Sequence, residues 1–172
     1  MDIFETIENA LQESITAMFT TLGKTVNVII SHENGVEPTG SYVVINVIDM
    51  TQQGQADKSS LLLYEQNQGK ETFVKTYEAL VQLNFLGSES SKLSALFHNN
   101  WRANTPCREH FLRNNLAPRT ISNLRRAPQL RESVWIKSFA CDVRVGFVLR
   151  TIQDVDWADR ITVNGVEIPL NN

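Results

Sequence analysis

Most residues that would mark a chemistry or a compartment are scarce in this chain. It has two cysteines, Cys107 and Cys141, in 172 residues, too few for a disulfide framework and in keeping with a reducing compartment. No Gly-rich phosphate loop occurs, neither GxGxxG nor GxxxxGK(S/T). No apolar run approaches the length that crosses a bilayer, so no membrane partner is expected. The start, MDIFETIENA, is acidic from its second residue and lacks the basic opening of a signal peptide. Positive charge is not in surplus either: Lys and Arg number 16 against 19 Asp and Glu, a formal net charge of −3. That balance argues against a protein whose main task is to grip nucleic acid by its phosphates. No internal repeat or low-complexity segment is present. With 42% hydrophobic and 20% charged residues the chain can still fill a core, and its length suits one domain.

What the chain does contain is alternation. In 138–150 (SFACDVRVGFVLR), Phe139, Cys141, Val143, Val145, Phe147 and Leu149 take every second position, with Ser138, Asp142, Arg144 and Gly146 between them. Successive side chains of a strand point to opposite faces, so this pattern predicts an apolar row on one side and a wetter row on the other. The stretch 77–86 (YEALVQLNFL) repeats it, with Tyr77, Ala79, Val81, Leu83 and Phe85 inward and Glu78, Gln82 and Asn84 outward. Two such strands can lie side by side, most simply antiparallel, as the spine of a one-sided sheet. Cys141 would then be a buried free thiol.

Phe4, Ile7, Leu11, Ile15, Met18 and Leu22 recur at steps of three and four, which predicts an amphipathic helix over 2–22. Asp2, Glu5 and Glu8 suit the positive end of its dipole, and Gly23 is a natural stop. The stripe lasts only about three heptads without regular flanking charges, which favours packing on the sheet over a coiled-coil partner. Strands are expected at 25–31 and 41–50 around the turn-prone HENGVEPTG, and 51–58 (TQQGQADK) reads as a solvated loop. The segment 60–65 (SLLLYE) is short and apolar, and NQGK at 67–70 turns it into the strand ending at Leu86. That arm has two readings: an intramolecular strand with Leu62 in the core, or an exposed edge that another subunit covers.

A second helix is expected over 88–99, opened by serine caps and gathering Leu93, Leu96 and Phe97, with Trp101 extending its apolar face. Pro106 interrupts the pattern, a short helix resumes over 108–115 with Phe111 and Leu112, and Pro118 closes it. The polar stretch 119–132 leads into the spine through Val134, Trp135 and Ile136. Asn164-Gly165 within ITVNGVEI signals a tight hairpin, because a type I′ turn needs positive φ at both central positions. The predicted class is α+β: an antiparallel sheet with helices on one face, plus β-hairpin extensions. The expected organisation is one domain over 1–172, with an N-terminal helix at 2–22, a sheet and helix core at 25–150, and a hairpin tail at 151–172.

Catalytic patterns are weak. His32, His98 and His110 are scattered, and Cys107 with His110 has no second pair to complete a zinc site, so a helix surface is the ordinary account of those two. Asp154, Asp156 and Asp159 resemble the start of a calcium loop, but the glycine and distal glutamate are missing. A small enzyme, such as a metal-dependent nuclease using Asp142 or Asp154, Asp156 and Asp159, is the rival reading; no cofactor or metal is expected in the preferred one. Charge distribution is more informative. Arg102, Arg108, Arg113, Arg119, Arg125, Arg126 and Arg131 face few acids, whereas both ends of the chain are acidic. Opposite poles suit docking between copies or neighbours; a solvated arginine face and a nucleic-acid surface are the other readings.

KTYEALVQLNFLG (75–87), followed after a helix by LAPRTISNLRRAPQLRESVWIKSFACDVRVGFV (116–148), resembles the neck terminator, or tail terminator, family of tailed bacteriophages. Tyr77, Ala79, Val81, Leu83, Asn84 and Phe85 match the family's first strand; Trp135, Asp142, Arg144, Gly146 and Phe147 match its later one. The likeness covers about 41–149. It implies a structural virion protein without catalytic activity, a hexameric ring at the neck that ends the tail tube and joins it to the head connector. Implied partners are sister subunits, the tail tube protein, a connector, stopper or adaptor protein and, in some viruses, a tail sheath, with DNA passing non-specifically through the channel. The implied location is the virion neck, and the host cytoplasm during assembly. On that reading Leu61, Leu63 and Tyr64 are subunit contacts, and Arg125, Arg126 and Arg131 face neighbouring proteins rather than the channel.

Overall fold

The computed structural model describes residues 3–32, 36–59, 69–101, 105–131, 133–155, 160–163 and 166–169. In chain order these form α1 (Ile3–Thr21), β1 (Asn27–Ile30), β2 (Tyr42–Ser59), β3 (Gly69–Leu86), α2 (Ser90–Asn100), α3 (Thr105–Arg113), β4 (Leu116–Ile121), β5 (Arg125–Arg126), β6 (Gln129–Arg131), β7 (Val134–Ile136), β8 (Ser138–Val155), β9 (Arg160–Val163) and β10 (Val166–Pro169). The class is α+β, as the alternation and the helical spacing predict. Two compact units divide the chain, one of Met1–Gln53 with Tyr77–Val148, the other of Gly54–Thr76 with Leu149–Asn172.

In the first unit the main sheet runs β1-β2-β3-β8-β4, with β5 also paired to β8. The two predicted spine strands are neighbours. Tyr77 stacks on Phe147, Glu78 meets Arg144, and the Gly87 N–H donates to the Lys137 carbonyl, so contacts descend β8 as they climb β3: the pair is antiparallel. β4 is also antiparallel to β8, but β1 runs parallel to β2, so the sheet is mixed at that edge.

The inward row is dry. Ala79, Val81, Leu83 and Phe85 of β3 are fully buried, as are Cys141, Val143 and Val145 of β8, with Val43 and Ile45 of β2 beside them. The helices cover this face through an aromatic cluster: Phe97 of α2 touches Phe85, Phe19 of α1 and Trp101, and Trp101 meets Phe111 of α3 edge-on. Fully burying side chains of this size contributes roughly 1.5–3 kcal/mol each. α1 packs on α3 and β1, burying Ile7, Leu11, Ile15, Met18 and Phe19. Ser14 joins that stripe because its hydroxyl is bonded to the Ala10 carbonyl at 2.7 Å and to Asn114 at 2.9 Å. Gly23, at φ +70°, ends the helix with the paired bonds of a Schellman stop, Lys24 N–H to Phe19 O and Gly23 N–H to Thr20 O.

Several expectations are corrected. The polar TQQGQADK is not a loop: β2 continues through it to Ser59. A ladder is held by backbone groups, which do not need apolar side chains on either face. Pro106 lies in the first turn of α3, where a missing N–H costs nothing, so that helix starts at Thr105 rather than 108. Pro118 lies within β4, opposite Val145. No side-chain cap bond opens α2. Val134, Trp135 and Ile136 belong to a separate two-stranded sheet with β6. The wetter row of β8 is covered in places, with Ser138 and Gly146 buried: Arg119 lies across Gly146, and Ser138 sits beside the start of α2. Cys107 is fully buried, not on a helix surface.

In the second unit, β9 and β10 form the hairpin expected around Asn164-Gly165, with Val163 opposite Val166 and Ile161 opposite Ile168.

Candidate assembly surface

Opposite the helices, the main sheet presents a row of paired charges. Arg125 reaches from β5 to Asp142 on β8 with both ends of its guanidinium, Nη1 to Oδ2 at 2.6 Å and Nη2 to Oδ1 at 3.0 Å. Gln82 adds a third hydrogen bond to the same carboxylate. The Arg125 hydrogen bond holds the Asp142 carboxyl below its usual range despite partial burial, and Asp142 in turn raises the guanidinium. Backbone contacts lock the pair: the Asp142 N–H donates to Ser122 Oγ and the Ser122 N–H to the Asp142 carbonyl, each at 2.8 Å. Further along, Arg144 bonds Glu78 at 2.7 Å.

This geometry decides what Asp142 can do. A carboxylate that already accepts a two-pronged arginine and an amide has few lone pairs to offer a metal. Among the described residues no three His, Cys, Asp or Glu side chains gather where an ion could be held. Asp154 lies in β8, while Asp156 and Asp159 fall outside the described residues. His110 bonds Thr21 through Nε2 at 2.8 Å, and burial raises the Cys107 thiol.

Of the residues expected at interfaces, Arg125 is committed to Asp142 and Arg126 is exposed in the same short strand. Arg131 ends β6 opposite Val134. Leu61, Leu63 and Tyr64 lie outside the described residues. The sequence reading missed the β6–β7 hairpin. There Leu130 and Trp135 stand directly opposite each other, 58% and 67% exposed, with Val134 at 64%. Ser133 carries the positive φ, +69°, of a tight turn. Exposed apolar side chains gathered on one ribbon are candidates for a contact surface, and a two-stranded ribbon by itself is only marginally stable. The available signal was LRESVW itself, two apolar stretches around a short polar turn.

No curated protein matches the sequence. A family model described as the phage neck terminator protein matches residues 5–170, from the first turns of α1 through β10.

Proposed function

The chain belongs to the phage neck terminator family, a family of structural neck proteins, and from that premise we propose that it assembles as a ring that ends the tail tube. Six copies surround a channel for DNA, bind the tube protein on one side and a connector, stopper or adaptor on the other, and take up a sheath where one exists. Assembly takes place in the host cytoplasm, before the ring becomes part of the virion. The match over residues 5–170 carries this reading, because it spans both compact units rather than one motif. Two physical features support it. The outer sheet face is occupied by charges already paired within the chain, and the Leu130–Trp135 hairpin offers apolar surface suited to a protein partner. A net charge of −3 also suits a channel through which DNA must slide, since each neutralised phosphate adds affinity. Leu61, Leu63 and Tyr64 are assigned to contacts between subunits, and Arg125, Arg126 and Arg131 to neighbouring proteins.

The test is light scattering of the purified chain across concentrations, alone and mixed with tail tubes, with electron microscopy of the products. Rings in either condition are expected. A chain that stays monomeric in both, and leaves tube ends bare, would end the proposal. Leu61→Asp with Leu63→Asp is expected to leave a folded monomer that cannot close rings; intact rings from that variant would remove the arm from the interface.

A further inference from the structure

A cleft lies where α2 begins, between that helix and the β5–β7 stretch. Ser90 and Ser91 line it together with Arg126, Lys137, Ser138 and Phe139. Four features there favour the same kind of ligand. The first turn of the 11-residue α2 carries the positive end of its dipole, the N–H groups of Ser90, Lys92 and Leu93 being already bonded to the Gly87 and Glu89 carbonyls. Arg126 and Lys137 are exposed cations. Ser138 is only 2% exposed, yet its Oγ has no hydrogen-bond partner among the described residues, a situation folded proteins avoid. Glu89, the nearest acid at this helix end, turns to Lys92 instead. A buried unmatched hydroxyl, two cations and a helix N-terminus together call for an oxygen anion.

The choice of anion follows from the rest of the wall. Phe139 is apolar, and the exposed Leu130–Trp135 pair lies a few residues along the chain. A phosphate backbone offers nothing for such groups; a protein segment that carries both carboxylates and apolar side chains does. α1 is such a segment. From Ile3 to Thr21 it holds Glu5, Glu8 and Glu13 without a single Lys or Arg, and Ile3 and Phe4 are 37% and 42% exposed. Glu5 and Glu13 flank a groove beside Asn114. Within one copy the two features are far apart. Asn114 precedes Leu116, which pairs with Phe147, whereas Arg126 pairs with Phe139. Eight residues of strand separate those ends, about 27 Å.

We propose that the cleft is the receiving half of a head-to-tail contact between copies, its anion a glutamate carboxylate, Glu5 or Glu13, from α1 of the next subunit, with Leu130 and Trp135 packing alongside. A contact between different patches of identical chains propagates around a ring when its rotation closes. The inference therefore rests on the ring reading and refines it: the neighbour that Arg126 meets is a sister subunit.

Charge exchange tests it, in a low-salt buffer where the wild-type chain assembles. Arg126→Glu with Lys137→Glu, and separately Glu5→Lys with Glu13→Lys, should each raise the concentration for half-assembly about tenfold or more. An equimolar mixture of the two variants should assemble again, because each pocket then finds an α1 of opposite charge. Circular dichroism matching the wild type separates lost contact from lost fold. Unchanged assembly by either variant, or no recovery on mixing, overturns this contact while leaving the ring intact. A wild-type chain that forms no ring with or without tubes defeats the ring reading itself. A duplex DNA that binds the wild type and is released by Arg126→Glu with Lys137→Glu, with assembly unaffected, would assign the cleft to phosphates and overturn the proposal.

Discussion

Arg125 and Asp142 clasp each other through two hydrogen bonds, at 2.6 and 3.0 Å, tying the two-residue β5 to β8, an interior strand of the sheet. The Asp142 side chain is 27% exposed and that of Arg125 47%, so water screens the pair, and its worth is on the order of 1 kcal/mol. Asp142→Asn should cost about that much at neutral pH. The pH dependence has a definite sign. The folded carboxyl is held below its usual value, so the stabilisation is complete above the unfolded value of about 4 and is lost as the pH falls through the folded one. Urea midpoints of the wild type and Asp142→Asn should therefore converge as the solution is acidified below about pH 4. A gap that persists through the acid range would show that the charge is not what stabilises the contact.

Gly87 follows β3 at φ +96°, and a Cβ there would come within 2.5 Å of the Gly40 carbonyl oxygen and 2.8 Å of the Ser41 Cα. Both the backbone conformation and the space exclude a side chain. Gly87→Ala should destabilise the fold by roughly 2–4 kcal/mol, adding a clash to the 1–3 kcal/mol of an unfavourable φ. Gly23, at φ +70° with open space around it, is the control, and Gly23→Ala should cost about 1 kcal/mol. Thermal melts of the pair measure the difference, and equal losses would contradict the crowding at Gly87.

Phe97 is the hub of the aromatic cluster, in contact with Phe19, Phe85 and Trp101. Because it is fully buried, Phe97→Ala should remove about 3–5 kcal/mol, while Phe97→Leu, which refills most of the space, should cost distinctly less. Urea denaturation reads both. Similar losses for the two would mean that the cluster is not closely packed around this ring.

Both thiols are buried. Burial, reinforced by the neighbouring Asp142, pushes Cys141 from its ordinary 9.0 up to about 12, and burial raises Cys107 as well. Thiolate is the reactive form, so neither should react with a colorimetric disulfide reagent in the native protein at pH 8, and both should react once denaturant is added. For Cys141, whose folded value is raised, the linked stability is fully present below about pH 9 and declines as the pH climbs from there toward about 12. Rapid labelling of a thiol in the native chain would refute the burial.

How much of this was legible beforehand depends on whether the information is local. Period-two alternation in 77–86 and 138–150 was sufficient for two strands and their dry face, and the three-and-four spacing from Phe4 to Leu22 for α1, since side-chain direction along a strand or helix is set by the backbone's own geometry. The glycine stop at Gly23 and the Asn164-Gly165 hairpin were equally local, resting on φ preferences that a residue brings with it. Partners for polar groups were not readable in this way. Nothing near Asp142 in the chain announces Arg125, and nothing near Ser138 shows that α2 begins beside it. The polar 51–58 resembled a loop because its side chains say little, whereas strand pairing is decided by backbone groups brought alongside β3. The sequence by itself determined which residues turn inward along each element. Tertiary structure alone decided which inward and outward residues meet, because a hydrogen bond or an ion pair depends on distances that folding, not chain order, sets.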